Sequence, residues 1–377
     1  MTRLKVWLKA GHTVAIIDQL RAGFEEATGI GLDVRVVPES TAHDLLVAGS
    51  ERPDVVTVPF WYLDELLERD VLREAGDVDG LAFPRVPLDA LSRGGVLYAV
   101  PHTFTGGMLT YRKDILDGAG IDPPATPGEV LAAARVLGEK GWSLAARANQ
   151  QFSSLETYAG WAHAAGVRLL HDSGPANVHE LQRGIGELVA VLRRQGGSLA
   201  ELDYEGVGGL VTQGRAALMF DTSAWAFSFE APGSPVRGLL GYRTIVDAQP
   251  AQFLYAEGLG ITSWCADPEA AAAFVNWRHS EAVLRREVEE VRRIDIPRLD
   301  LRELDWFGHF VERERLGPCL AAVDLSWQQA ELSHVARRPD YVDASRALMR
   351  VISGTVSGEF SSIEQGYEDA YAQLPRQ

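Results

Sequence analysis

YAVPHTFTGGMLTYRKDILDGAGIDPPAT, from Tyr98 to Thr126, decides how this 377-residue chain is organised. It reads as an extended segment, YAVP, a turn softened by Gly106 and Gly107, a second extended segment, GMLTYR, and the charged start of a helix. Such a run carries a backbone out of one domain, past a cleft and into another. Upstream, LKVWLKA reads as a strand, and Val14, Ile17, Leu20 and Phe24 recur at helical spacing between Thr13 and Thr28. LDVRVV (32–37) alternates like a β-branched strand, a helix is expected near Ala42–Gly49, DVVTV is a buried strand, and a further helix spans Tyr62–Arg69. Strands alternating with helices predict right-handed βαβ units and a mostly parallel sheet.

Downstream a second series begins. Thr126, Pro127 and Glu129 supply a capping threonine, a proline at the first helical position and a glutamate at the third, which opens a helix to about Lys140. Further helices are expected near 154–165, 178–195 and 205–213, and AALMF (216–220) is a short buried strand. EGLGITSW reads as a strand, and Asp267-Pro268-Glu269 caps the helix AAAAFVNW. From Leu284 to Phe310 the pattern is charged and helical, interrupted by Pro297. Ser361-Ser362-Ile363-Glu364 offers another capping box, opening a last helix to Ala372.

The composition bounds the function. A chain of this length holds two or three ordinary domains. At 46% hydrophobic and 23% charged residues it is globular. Its formal charge of −16, from 52 acidic and 36 basic residues, argues against nucleic acid or an anionic membrane as partner. That balance fits a monomer handling a neutral or cationic small molecule. No apolar run approaches the ~20 residues that span a bilayer, and Val14–Ile17 falls short of a secretory signal. Cys265 and Cys319 sit in apolar neighbourhoods and read as buried, inert thiols. No Cys/His spacing suggests zinc, and DVDG (77–80) lacks the remaining ligands of a calcium loop. Phosphate-binding, metalloprotease, hydrolase and dinucleotide motifs are absent, so no catalytic residue, cofactor or metal is expected.

Five segments in order resemble the extracellular sugar-binding type of solute-binding protein that serves ABC importers, the maltose-binding-protein-like family. FEEATGI (24–30) is similar to the end of that family's first helix, and RPDVVTVPFWYLDELLERDVL (52–72) to its P-D-V-V segment. YAVPHTFTGGMLTYRKDILDGAGIDPPATPGEV (98–130) resembles its hinge signature, VTQGRAALMFDTSAW (211–225) its G-x-A-A-M…W segment, and YAEGLGITSWCADPEAAAAFVNW (255–277) its L-A-I…P-E-A-A segment. The resemblance spans Leu4 to Leu374. Departures are Arg112 where the family has asparagine, Pro127 where it has tryptophan, and Tyr255-Ala256 in place of a glycine pair. It implies an α/β, two-lobed periplasmic-binding-protein fold with three hinge crossings, near 102–110, 256–263 and between 310 and 328. The expected lobes are 1–107 with 263–318 and 108–262 with 319–377, and ligand is enclosed between them.

Clefts of this kind combine aromatic platforms with a few placed polar groups. Phe60, Trp61 and Tyr62 follow the DVVTV strand, and loops at the carboxyl ends of parallel strands line the crevice. Glu39 follows the second strand, and His102 and Phe104 lie in the first crossing. Asp221 follows AALMF, where it could accept a sugar hydroxyl or an ammonium, although a helix or turn cap is the simpler reading. The resemblance adds Trp225 in the binding-tryptophan motif, Tyr255 and Glu257 in the second crossing, His12 after the first strand, Phe152 in a contact loop, and Arg298 in a P-x-R segment. Trp327 and Tyr341 are weaker candidates. A carboxylate at 257 breaks an otherwise apolar strand, so it needs a ligand or a basic partner.

Together these readings predict a protein that captures a sugar or glycoside by hinge closure for delivery to an ABC permease. The rival is a cytosolic relative of the same fold acting as a small-molecule enzyme or sensor; a pure interaction protein fits least. The expected location is extracytoplasmic for a mature form, or cytoplasmic if Met1 is the native start.

Overall fold

The strand Arg3–Leu8 begins with alternating burial and ends with three consecutive buried residues, Val6, Trp7 and Leu8, the pattern of a strand covered on both faces. It opens a computed structural model that describes residues 2–9, 12–76, 83–171, 174–330 and 340–371. Eight strands carry the main sheet pairing: β1 (Arg3–Leu8), β2 (Gly31–Val36), β3 (Val55–Pro59), β4 (Ala99–Arg112), β5 (Ser143–Ala145), β6 (Ala216–Thr222), β7 (Leu240–Arg243) and β8 (Leu254–Ile261). The chain forms two compact units, Met1–Phe104 with Tyr255–Arg313 and Thr105–Leu254 with Glu314–Gln377. It therefore passes between the units three times.

In the first unit, β1 pairs in parallel with β2 (Leu4↔Leu32) and with β3 (Val6↔Val55). β8 runs antiparallel to β3, with Glu257 opposite Pro59. The helix His12–Thr28 lays Ile17 and Phe24 on this sheet, and Phe24 meets Phe274 edge-on at 6.1 Å. In the second unit, β6 pairs antiparallel with β4 (Phe220↔Leu109) and parallel with β5, while β7 adds to the other side of β4. Its helices Leu155–Ala164, Val178–Arg194 and Tyr341–Ser357 pack together. The helix Val178–Arg194 begins with a reciprocal capping box between Asn177 and Glu180, as Pro127–Glu139 does between Thr126 and Glu129.

Several local expectations change. The residues from Ala99 to Arg112 are one uninterrupted 14-residue strand, with no turn at the glycines. Gly106 and Gly107 are needed for close packing instead: a Cβ on Gly107 would stand 2.7 Å from the Phe253 ring, and one on Gly106 would collide with Ser326. The charged stretch 284–310 is not one helix broken at Pro297. The helix Glu281–Val291 ends earlier, at Arg292 in the left-handed conformation (φ 61°), and an irregular segment and the short helix Leu299–Arg302 precede the helix Asp305–Arg313. The non-helical residues between them carry Arg293 and Asp295 into the interior. The last capping box is shifted by one residue, because Ser362 accepts from the backbone N–H of Gln365 and Gln365 reaches back to Ser361. The DVDG segment lies outside the described residues. Cys265 and Cys319 are both buried and form no disulfide, as buried thiols were expected to be.

Candidate functional site

Parallel strands in one sheet deliver their carboxyl ends to the same edge. In the first unit that edge gathers Lys9 just after β1, Glu39 at the start of the helix Glu39–Val47 after β2, and Trp61 in a 3-10 turn directly after β3. The antiparallel β8 begins at the same edge and adds Tyr255 and Glu257. The Lys9 Nζ lies 2.6 Å from Glu39 Oε2 and 2.8 Å from Glu257 Oε1, and it also donates to the Tyr255 hydroxyl. An ammonium has three N–H bonds, so Lys9 is fully engaged by these partners. Tyr255 in turn donates to Glu257 Oε1, and the Trp61 indole N–H donates to Glu39 Oε1 at 3.1 Å. The Tyr255 ring packs edge-on to Trp61 at 5.1 Å, and Phe60 supports Trp61 edge-on at 4.9 Å. A water-sized cavity bordered by Lys9, Glu39, His43 and Tyr62 lies alongside.

The electrostatics follow from these contacts. Burial would lower the Lys9 pKa, but Glu257 and Glu39 outweigh it and hold the ammonium well above its usual range. Burial, reinforced by Glu257, pushes the Tyr255 phenol well up, so it remains a hydroxyl donor. His102, on β4, is pushed well below the usual histidine range by burial and by the Arg278 and Arg293 guanidiniums, so its ring is neutral. Beneath it, Arg278 and Glu287 form a buried ion pair at 2.6 Å. Arg293 pairs with Asp295 and donates to the His102 carbonyl and the Thr103 hydroxyl. One ammonium against two carboxylates leaves this largely buried edge net negative.

The second unit repeats the placement with different chemistry. Arg147 follows β5, and Asp221 lies at the carboxyl end of β6. The two form a bidentate pair (2.8 and 3.1 Å) at 7% and 0% side-chain exposure. The guanidinium also lies 5.8 Å from the Tyr204 ring centre. Tyr204 stacks on Trp225 at 4.6 Å, and Phe229, one helical turn on, lies nearly parallel to that indole at 5.6 Å. Gly208 leaves the room: a Cβ there would meet the Trp225 six-membered ring at 2.5 Å. Nearby, Tyr341 donates to Glu156, whose carboxyl burial pushes up to about 7.

The structure thus brings Glu39, Trp61, Tyr255 and Glu257 together, with Phe60 behind Trp61 and His102 beside Glu257. Phe104 is fully buried, and Asp221 is engaged by Arg147 instead of standing open. Trp225 joins Tyr204 in the other unit. Arg298 pairs with Asp300 and donates to the His279 carbonyl. His12 opens the helix His12–Thr28 and Phe152 opens a short 3-10 turn, but their side chains lie outside the described residues. Trp327 is buried in the helix Gly317–Gln329, and Tyr341 is buried against Glu156. Sequence reasoning missed Lys9, Arg147 and Tyr204. The available signal was a lone cation one residue past VWL and two past SLA, the ends of two buried strands.

Two α/β units joined by three chain crossings, each with polar and aromatic groups at its strand ends, define the class: a two-lobed solute-binding protein. The chain belongs to the bacterial extracellular solute-binding protein family, whose profile matches residues 10–283. The mannitol-binding protein of Pseudomonas aeruginosa is 29% identical over 218 residues, covering 52% of this chain. The chain spans about half the length of that curated relative (48%). Two solved structures share the fold over essentially their whole length. The Agrobacterium vitis S4 solute-binding protein with bound D-mannitol has a TM-score of 0.82 at 16% identity and covers 100% of both chains. The Agrobacterium radiobacter K84 protein in complex with ribitol has a TM-score of 0.84 at 20% identity, covering 99% of this chain and 98% of the other. Among the described residues no helix is long and apolar enough to cross a membrane, and no acidic, histidine and cysteine group could hold a metal.

Proposed function

We propose that the protein captures an uncharged polyol or small sugar outside the cytoplasm and hands it to an ABC importer. The observation that carries this reading is the Lys9–Glu39–Tyr255–Glu257 cluster beside Trp61. Lys9 is saturated by its neighbours, so what the cluster offers a ligand is carboxylate lone pairs. These accept hydroxyl protons, while an indole packs against C–H faces. The net negative edge disfavours an anionic ligand, since a carboxylate or phosphate there meets like charge. The ligands carried by the two structural neighbours, D-mannitol and ribitol, and the mannitol-binding relative point to the same chemical class. No step in this reading breaks a bond in the ligand, so capture without turnover is the expected activity.

The test is calorimetry of the full chain against D-mannitol, ribitol, maltose and D-gluconate. At least one polyol or sugar is expected to bind in the micromolar range, about −8 kcal/mol. Trp61→Ala and Glu257→Gln should each weaken it tenfold or more, and gluconate should bind least. Preference for gluconate, or no binding by any neutral compound, refutes the proposal.

A further inference from the structure

We infer that His102 and Glu257 form a subsite for a single ligand hydroxyl, and that Arg278 is the positioning residue that gives His102 the tautomer this subsite needs. The inference rests on the polyol reading above and names one contact within it. Arg278 Nη2 lies 3.4 Å from His102 Nδ1. A guanidinium only donates, so Nδ1 accepts and the ring proton sits on Nε2. That Nε2 lies 4.0 Å from Glu257 Oε2, with side-chain exposures of 9% and 6%. The separation is too long for a direct hydrogen bond. An oxygen about 2.8 Å from both atoms would bridge them, accepting from the imidazole and donating to the carboxylate. Glu257 Oε1 already accepts from Lys9 and Tyr255, which leaves Oε2 to face the ligand. Arg293 holds the His102 carbonyl at 3.1 Å and the neighbouring Thr103 hydroxyl at 3.0 Å, fixing the backbone that aims the ring.

A donor and an acceptor at this spacing select for one group. A hydroxyl satisfies both atoms. An ether oxygen accepts but cannot donate, an ammonium meets the Nε2 proton, and a carboxylate meets Glu257. Burial and the two arginines keep the ring from charging, so the donor–acceptor pattern holds at neutral pH.

The test titrates wild type and His102→Phe with D-mannitol and its monodeoxy and mono-O-methyl derivatives. In wild type, deleting or methylating one particular hydroxyl should cost about ten- to a hundredfold in Kd, the loss expected for a hydrogen bond to a charged group. In H102F the same change should cost several-fold less than in wild type, because the imidazole donor is gone and only the Glu257 acceptor remains to be lost. Nitrogen-15 NMR of the imidazole, which does not depend on H102F folding, should show the Nε2–H tautomer in wild type and in Arg278→Lys. Arg278→Met should shift it towards a mixture. An Nδ1–H tautomer, or equal deoxygenation costs in wild type and H102F, overturns the inference. So does an H102F that loses melting temperature but no affinity, which would mean that the gap holds water only. If Trp61→Ala abolishes mannitol binding while H102F leaves the derivative pattern intact, the polyol reading stands and the subsite falls. If no polyol or sugar binds the wild type, both fall.

Discussion

Replacing Glu156 by glutamine should make the protein progressively more stable than wild type as pH rises. Glu156 lies in the helix Leu155–Ala164 and is 2% exposed. Burial pushes its carboxyl from the ordinary 4.5 to about 7, although the Tyr341 donor and the Arg147 charge both pull it down. Below pH 4.5 the folded and unfolded chains are both protonated, and the site contributes no penalty. Between 4.5 and 7 the unfolded chain releases the proton while the folded one keeps it, so stability falls as pH rises. Above 7 the loss levels off at about 3 kcal/mol, at 1.36 kcal/mol for each tenfold change in proton affinity. Between pH 5 and pH 8 the expected fall is about 2–3 kcal/mol. Tyr341 stays protonated through this window because burial and Glu156 push its phenol well up. Glutamine keeps an oxygen for Tyr341 to donate to and has no proton to lose. The advantage of E156Q over wild type in guanidinium unfolding should therefore widen by about 2–3 kcal/mol from pH 5 to pH 8. Because two units can unfold separately, amide exchange in residues 155–164 gives the local figure. A difference between the two proteins that stays within about 0.5 kcal/mol across that range refutes the reasoning, since the linkage requires it to change.

Three further outcomes follow from the packing. Asp221→Asn leaves Arg147 charged and buried without its carboxylate, so a loss of about 3–5 kcal/mol in denaturant unfolding is expected, and Arg147→Met/Asp221→Leu should recover most of it; an additive double variant would count against the pair. Gly208→Ala drives a methyl group into the Trp225 ring and should cost about 1–3 kcal/mol, with a changed Trp225 fluorescence; Trp225→Leu in the same chain should remove the cost, and its persistence would place the strain elsewhere. Thr126→Ala should lower stability by about 1 kcal/mol with ligand affinity unchanged, as expected for loss of the capping hydroxyl; a neutral result by thermal melting would show that the capping box contributes nothing.

Much of this architecture was legible along the chain. Local rules sufficed where a signal lies within one element: the Thr126/Glu129 box, the β-branched strands, the helix after Asp267-Pro268. They failed where the deciding partner is distant. Gly106 and Gly107 looked like a turn because sequence cannot show that Phe253 and Ser326 press on them. The helix from Glu281 ends at Arg292 instead of at Pro297, and the segment beyond it turns Arg293 inward to hold β4.

The candidate site divides the same way. Trp61, Glu39 and Glu257 were readable as strand-end residues of the right chemical type, because strand periodicity and the carboxyl-end rule are local. Which charges cancel was not readable. Lys9 meets Glu257 across 248 residues of chain, and Arg147 meets Asp221 across 74. Sequence fixes residue type and element, whereas Coulomb energy depends on distance, and only the strand order that sets β8 against β3 and β5 against β6 brings those charges within 3 Å.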